Sequence, residues 1–312
     1  MSGRVASALA TLAALLCAAG VAGCGLGAGN GTRQVSLTVT RGFGAQQFGV
    51  VDASHVPGSE TVMRMLERHF NVATRYGGGF VQSINGLQGS GSRQNWFYYV
   101  NGVEAPQGAA ATAVHQGDHI WWDLHDWTAT ESIPAVVGSF PEPFINGVGG
   151  RRLPTTLECA DDVQSACKKV TAELTATHVP VASQLLGTGS GPDTLGVVVG
   201  TWNEVRAEVA GGLIAHGPSA SGVYARFAGS DGNELQLLNA EGQVARTLGT
   251  DSGLIAATAD SSSEPTWLIT GTDPAGVASA AAALTPSALH DHFALAVQGS
   301  TRLPVPLTPL AS

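Results

Sequence analysis

Ser92 to Trp127 reads SRQNWFYYVNGVEAPQGAAATAVHQGDHIWWDLHDW and holds four of the six tryptophans in the 312-residue chain. Asn95 to Val100 is an aromatic, β-favouring run. It ends at Asn101-Gly102, the dipeptide that supplies the two positive φ values of a tight hairpin turn. Gly117-Asp118 is a second turn signal, and a strand is expected from His119 through Trp127. On that strand side chains alternate, so His119, Trp121, Asp123, His125 and Trp127 share one face, and Ile120, Trp122, Leu124 and Asp126 the other. The first face mixes imidazoles, a carboxylate and indoles. Such a surface is costly to bury unpaired and suits a flat organic ligand or another domain.

Upstream, Val35, Leu37 and Val39 alternate as a strand, and Phe48 to Val51 make a second beyond Gly42 and Gly44. Ser59 stands at an N-cap position ahead of a helix whose stripe is Val62, Met65, Leu66 and Phe70, with Met63 and Arg64 outward. Phe80 to Ile84 forms a strand that ends at the Asn85-Gly86 turn.

Two motifs, Trp96-x-x-Tyr99-Val100-Asn101-Gly102 and Gly117-Asp118-x-Ile120-Trp121, resemble those of the transcobalamin-like C-terminal domain family over residues 33–127. The resemblance implies a β-grasp-like fold in a secreted or surface-anchored protein, and a role in binding a ligand or partner. Cobalamin is the ligand of the relatives that give the family its name, but the resemblance carries no corrinoid specificity. The order strand, strand, helix, then three strands agrees with that fold.

Residues 1–23 carry one basic residue, Arg4, then a short apolar run ending Val21-Ala22-Gly23-Cys24. This is the pattern of a secretory signal with a bacterial lipobox, too short for a membrane span. Cys24 is therefore expected to be the lipidated first residue of an exported, membrane-anchored chain. Residues 24–32 form a flexible Gly-rich spacer. Cleavage removes one base and no acid, leaving 14 basic against 24 acidic residues, a balance without a nucleic-acid footprint. Cys159 and Cys167 are the remaining cysteines, and in an oxidising compartment a disulfide is expected. A metal site would need further ligands that no local spacing supplies.

Residues 131–150, rich in Pro, Gly and Phe, are read as the connection between a first domain at 33–130 and a second at 151–300. Phe140, Phe144 and Ile145 are the side chains able to pack across the join. From Arg151 strands alternate with helices. Strands are expected at Leu153–Leu157, Leu195–Val199, Tyr224–Phe227, Glu234–Leu238, Trp267–Thr270 and Phe293–Val297. Helices are expected over Asp161–Thr177 and Glu204–Ile214 and from Pro274. Asp273 reads as an N-cap, with an anion site at the same turn as the rival reading. Residues 301–312 form a Pro-rich, extended tail. The fold class is α+β, a β-grasp-like domain followed by an α/β layered domain.

No nucleophile elbow, phosphate loop or His-Glu-x-x-His motif occurs. His115, His119, Asp123 and His125 are metal-ligand types, but His119 and His125 stand about 20 Å apart on an extended strand, too far to share an ion. His290-Asp291-His292 lacks a further ligand. The expected function is therefore non-catalytic: an anchored lipoprotein that binds a small molecule near the domain junction and, by analogy with the family, delivers it to a transporter. The expected ligand residues are Trp96, Tyr98, Trp121, Asp123, His125 and Trp127. The alternative is a cell-envelope module whose aromatic face docks a protein or polymer.

Overall fold

The computed structural model describes residues 31, 34–261 and 263–307. The leader, Cys24 and residues 308–312 lie outside them. No helix among the described residues is long and apolar enough to cross a membrane.

The first half is a five-stranded sheet built on β1 (Val35–Arg41), β2 (Gln46–Ala53), β6 (Gln94–Val100), β7 (Val103–Glu104) and β8 (His119–Asp126). Its order is β2-β1-β8-β6-β7. β1 and β8 run parallel at the centre, and every other pair is antiparallel. Asn101 and Gly102 do take positive φ, 56° and 76°. The turn they make joins β6 to the two-residue β7, however, and not to β8. The chain leaves β7 through Ala105 and Pro106, and Pro106 has no N–H to continue a ladder. It crosses the helix N-terminus and returns as β8 along the other edge of β6.

The helix Val62–His69 covers one face of this sheet. Its buried Val62, Met65 and Leu66 meet Leu37, Ile120 and Trp122. The N-cap is Thr61, whose hydroxyl accepts the Arg64 N–H at 3.3 Å, and not Ser59. Ser59 belongs to the turn in which Glu60 N–H donates to the Pro57 carbonyl at 3.0 Å. Phe70 lies just beyond the helix. Met63, expected at the surface, is buried at 5% exposure. The 105–115 loop closes over it, with the Val62 and Met63 N–H groups donating to Thr112 and Ala109 carbonyls, each at 3.0 Å. Three short strands that flank the sheet, β3 (Val72–Arg75), β4 (Phe80–Ile84) and β5 (Leu87–Gln88), form a small antiparallel sheet.

The second half centres on a seven-stranded sheet. Its strands are β9 (Thr155–Cys159), β10 (Val181–Leu185), β11 (Leu195–Thr201), β15 (Ser252–Thr258), β16 (Thr266–Gly271), β17 (Ala294–Gln298) and β18 (Thr301–Val305). The order is β10-β9-β11-β16-β15-β17-β18, parallel through β16 and antiparallel beyond. β12 (Ala225–Ala228), β13 (Glu234–Leu238) and β14 (Val244–Leu248) form a separate antiparallel meander. The whole chain is a sheet-dominated α+β protein.

Four of these strands, β10, β14, β15 and β18, are additional to those expected from the sequence. The start of the Pro-rich tail is itself the edge strand β18. The expected helix over 204–214 is two, Trp202–Val205 and Val209–Ala215. β15, SGLIAAT, is buried at every position. It contains the small residues that strands usually disfavour, because the helix Pro274–Ala283 lies directly on it. A Cβ on Gly253 would stand 2.2 Å from the Gly276 carbonyl. That helix and Gln164–Ala176 cover one face of the sheet, with Val163, Ala166, Val170 and Leu174 inward. Asp273 caps the former by accepting the Gly276 N–H at 2.8 Å. Phe140 and Phe144 of the connection pack against Trp267 in the same core, at ring-centroid distances of 5.6 and 5.2 Å.

Cys159 and Cys167 form the disulfide, with a Cα–Cα distance of 6.1 Å. It ties the end of β9 to the helix Gln164–Ala176. Replacing both cysteines with serine is expected to remove about 2–3 kcal/mol, the loop entropy of a closure this short. The readout is the urea midpoint of the intact chain, and an unchanged midpoint would contradict a structural role for the bridge.

Candidate functional site

The alternation of β8 puts its two faces into two different environments. Trp121, Asp123 and His125 face the second half of the chain and are buried at 0%, 0% and 2% exposure. Register pairs them across β6 with Tyr99, Phe97 and Asn95. Trp96 and Tyr98 lie on the opposite, helix-bearing face, beside Leu124 and Trp122. Trp127 follows the end of β8, and its N–H donates to the Arg93 carbonyl at 2.9 Å. The six residues expected to bind ligand are thus divided between two sides of one sheet.

On the buried face Asp123 and Trp121 have internal hydrogen-bond partners, while the Tyr99 and Tyr224 hydroxyls have none among the described residues. Asp123 accepts from the Phe43 N–H at 3.0 Å, the Gly44 N–H at 2.9 Å and the Thr40 hydroxyl at 2.5 Å. Its Oδ1 lies 2.9 Å from His125 Nδ1. The Trp121 indole N–H donates to Thr40 Oγ1 at 2.7 Å. The His125 ring is stacked between Phe43 and Phe97 at 4.7 and 4.4 Å, with Phe293 edge-on at 5.3 Å. Phe293 and Tyr224 come from the second half, so this face and the seven-stranded sheet share one core. Of the two partners open to it on sequence grounds, the face meets the rest of its own chain.

At the rim of the same junction, His119 places Nδ1 2.9 Å from Ser139 Oγ and Nε2 3.3 Å from Thr38 Oγ1. Burial, reinforced by the His290 charge and opposed by Asp52, holds its pKa down at about 4. Glu142 accepts the Asn146 N–H at 2.9 Å. Burial pushes its carboxyl up to about 7 against the Asn146 hydrogen bonds.

The other side of β6 carries Trp96 and Tyr98. There the chain encloses a cleft of about 250 Å³. Val100 of β6 and Val103 of β7 form one wall, Thr112 and Ala113 of the crossing loop the other, and Val148 closes an end. Glu104 and His115 supply its ionisable groups. A wider hollow of about 770 Å³ adjoins it, sharing Val103, Glu104 and Val148 and reaching Ala220 and Pro265 of the second half.

The cleft walls are held by named bonds. The Tyr98 hydroxyl lies 2.8 Å from Thr112 Oγ1 and also donates to the Gln107 carbonyl. The Glu104 N–H donates to Pro134 O at 3.0 Å, and Val103 bridges Ala135. Asp118 accepts the His115 N–H at 2.7 Å and the Asn101 amide at 3.0 Å. Asn101 also donates to the Gly147 carbonyl at 2.9 Å. Tyr98 is the one expected ligand residue that reaches this cleft's framework. The signal in the sequence was the run Ala105-Pro106-Gln107-Gly108-Ala109-Ala110-Ala111-Thr112-Ala113, whose small side chains leave space beside the hairpin. Among the described residues, no group of three or more His, Cys, Asp and Glu is disposed to hold a metal.

Residues 59–126 match the family described as Domain of unknown function (DUF4430). Solved structures similar to this chain include a protein from Ruminococcus gnavus described as metal binding. It is 20% identical with a TM-score of 0.26, and the match covers 30% of this chain and 97% of that one. Haptocorrin in complex with Cbi is 17% identical with a TM-score of 0.26, over 31% of this chain and 25% of that one. The chain therefore spans about a quarter of haptocorrin's length. No curated protein matches.

The two shifted groups act on stability in opposite directions. Between pH about 6.5 and 4 the unfolded chain binds a proton at His119 that the folded chain refuses, so stability rises with pH there. Between about 4.5 and 7 the folded chain holds a proton on Glu142 that the unfolded chain releases, so stability falls as pH rises. His119→Gln is expected to tilt the urea-derived stability profile downward with pH, and Glu142→Gln upward. Parallel profiles for both variants and the parent would contradict the assignment.

Asp123→Asn replaces one acceptor with a donor facing N–H groups. It is expected to cost about 2–4 kcal/mol in the same measurement. A loss below about 0.5 kcal/mol would show that the carboxylate does not hold the junction.

Proposed function

We propose that this chain is a non-catalytic, lipid-anchored binding protein that takes a small organic molecule into the cleft between the β6–β7 turn and the 105–115 loop. The observation that carries the reading is the cleft itself: a preformed, largely apolar hollow with few polar groups, opening where the two halves meet. That is the usual setting of a small-molecule site. The narrow part lies near the lower end of the range of such sites, ~300–1,000 Å³, and suits a small metabolite or one end of a larger ligand. A cobalamin-like vitamin would have to extend into the wider hollow.

The sheet order, with a hairpin, a helix and a central parallel pair, supports reading residues 33–130 as a β-grasp-like, transcobalamin-like module. Export and anchoring rest on the Val21-Ala22-Gly23-Cys24 motif. Hand-over to a membrane transporter is part of this reading by analogy with the transcobalamin-like family. The aromatic residues of β8 serve in this reading as the frame that fixes the cleft.

The test is a thermal-shift screen of the intact chain in detergent micelles against vitamins, including cobalamin, and small metabolites. A hit is expected to lose its shift in Ala113→Trp, which fills the cleft, while the ligand-free Tm stays within about 2 °C. Trp121→Ala is expected to lower that Tm by opening a core cavity. A hit that survives Ala113→Trp would contradict the cleft. Cys24→Ser is expected to move the protein from the membrane fraction to the soluble one, and continued membrane retention would contradict the anchor.

A further inference from the structure

Glu104 sits where the narrow cleft meets the wider hollow and lines both. Its carboxylate accepts from the Ser132 hydroxyl. Among the described residues no Lys, Arg or His pairs with it, and no cationic side chain lines the wider hollow. His115 of the narrow cleft, and Arg151 beside Glu264 of the wider hollow, are engaged elsewhere. His115 Nδ1 stands 3.5 Å from Asp118, and Arg151 pairs with Asp193 and Glu264 at 3.0 and 3.4 Å. The charge of Glu104 is felt nearby. It adds to burial in raising the Tyr99 phenol, and to burial in raising Tyr98 against the Thr112 hydrogen bond.

We propose that the cleft selects organic cations: an ammonium head held by Glu104, with an apolar body against Val100, Val103 and Val148. An ammonium supplies hydrogen bonds and opposite charge to a carboxylate that has one hydroxyl donor and reduced access to water. Anions meet the same charge repulsively, and neutral molecules gain only the apolar contact. The inference rests on the cleft being the binding site, and the experiment separates the two.

The probes are phenethylamine, 2-phenylethanol and 3-phenylpropionate, titrated calorimetrically into the intact chain in detergent at pH 7.5. Phenethylamine is expected to bind most tightly, the alcohol weakly, and the carboxylate not at all. Glu104→Gln is expected to weaken the amine about 10- to 100-fold and to leave the alcohol within about twofold, with the ligand-free Tm unchanged. Equal binding of amine and carboxylate, or an amine affinity indifferent to Glu104→Gln, overturns the proposal. So does the absence of binding by all three probes. In either case, thermal shifts from other ligands that Ala113→Trp abolishes would leave the cleft reading standing.

Discussion

A carboxylate with almost no contact with water organises this molecule. Asp123, at the centre of β8, receives the N–H groups of Phe43 and Gly44, the hydroxyl of Thr40 and the ring of His125. Burying a charge without such partners would be prohibitive, so the turn after β1 has to close over it. That turn places Phe43 against His125, and with Phe293 and Tyr224 it completes an aromatic cluster reaching into the second half. The two sheets are thereby joined through a shared core, and the Asp123 carboxylate at the junction is satisfied inside the chain.

This arrangement moves the ligand question away from the tryptophans. A face filled by its own chain cannot also admit a ligand without an opening that breaks those bonds. The far side of β6 is accessible by contrast, where a loop of small residues crosses from β7 to β8 and leaves a hollow. The loop is anchored at Tyr98, at the helix N-terminus and at Asp118, so the hollow is preformed and needs no opening motion. Preformed walls lower the ordering cost of binding.

Much of the framework was legible in the chain because it depends on local chemistry. Alternation sorted the two faces of β8, Asn101-Gly102 marked a tight turn, and eight-residue spacing suited the Cys159–Cys167 bridge. Periodicity gives the side of a strand but not what covers that side, so the aromatic face read equally as a ligand surface or a contact with another domain. β15 is harder to read because its glycine and two alanines reflect the close approach of the helix Pro274–Ala283, a tertiary demand that overrides strand preference. Met63 is buried for a similar reason: the 105–115 loop widens the buried stripe of its helix. The cleft has no motif at all, since it is made of what small residues leave empty.

Where a bound molecule is felt along the chain separates the cleft from the aromatic strand. Amide hydrogen exchange on the intact chain, with and without saturating phenethylamine, makes that comparison. The account predicts added protection in residues 103–115 and 148–149, with 119–126 protected equally in both states. Added protection confined to 119–126, with the 105–115 loop unchanged, would return the site to the aromatic strand and contradict it.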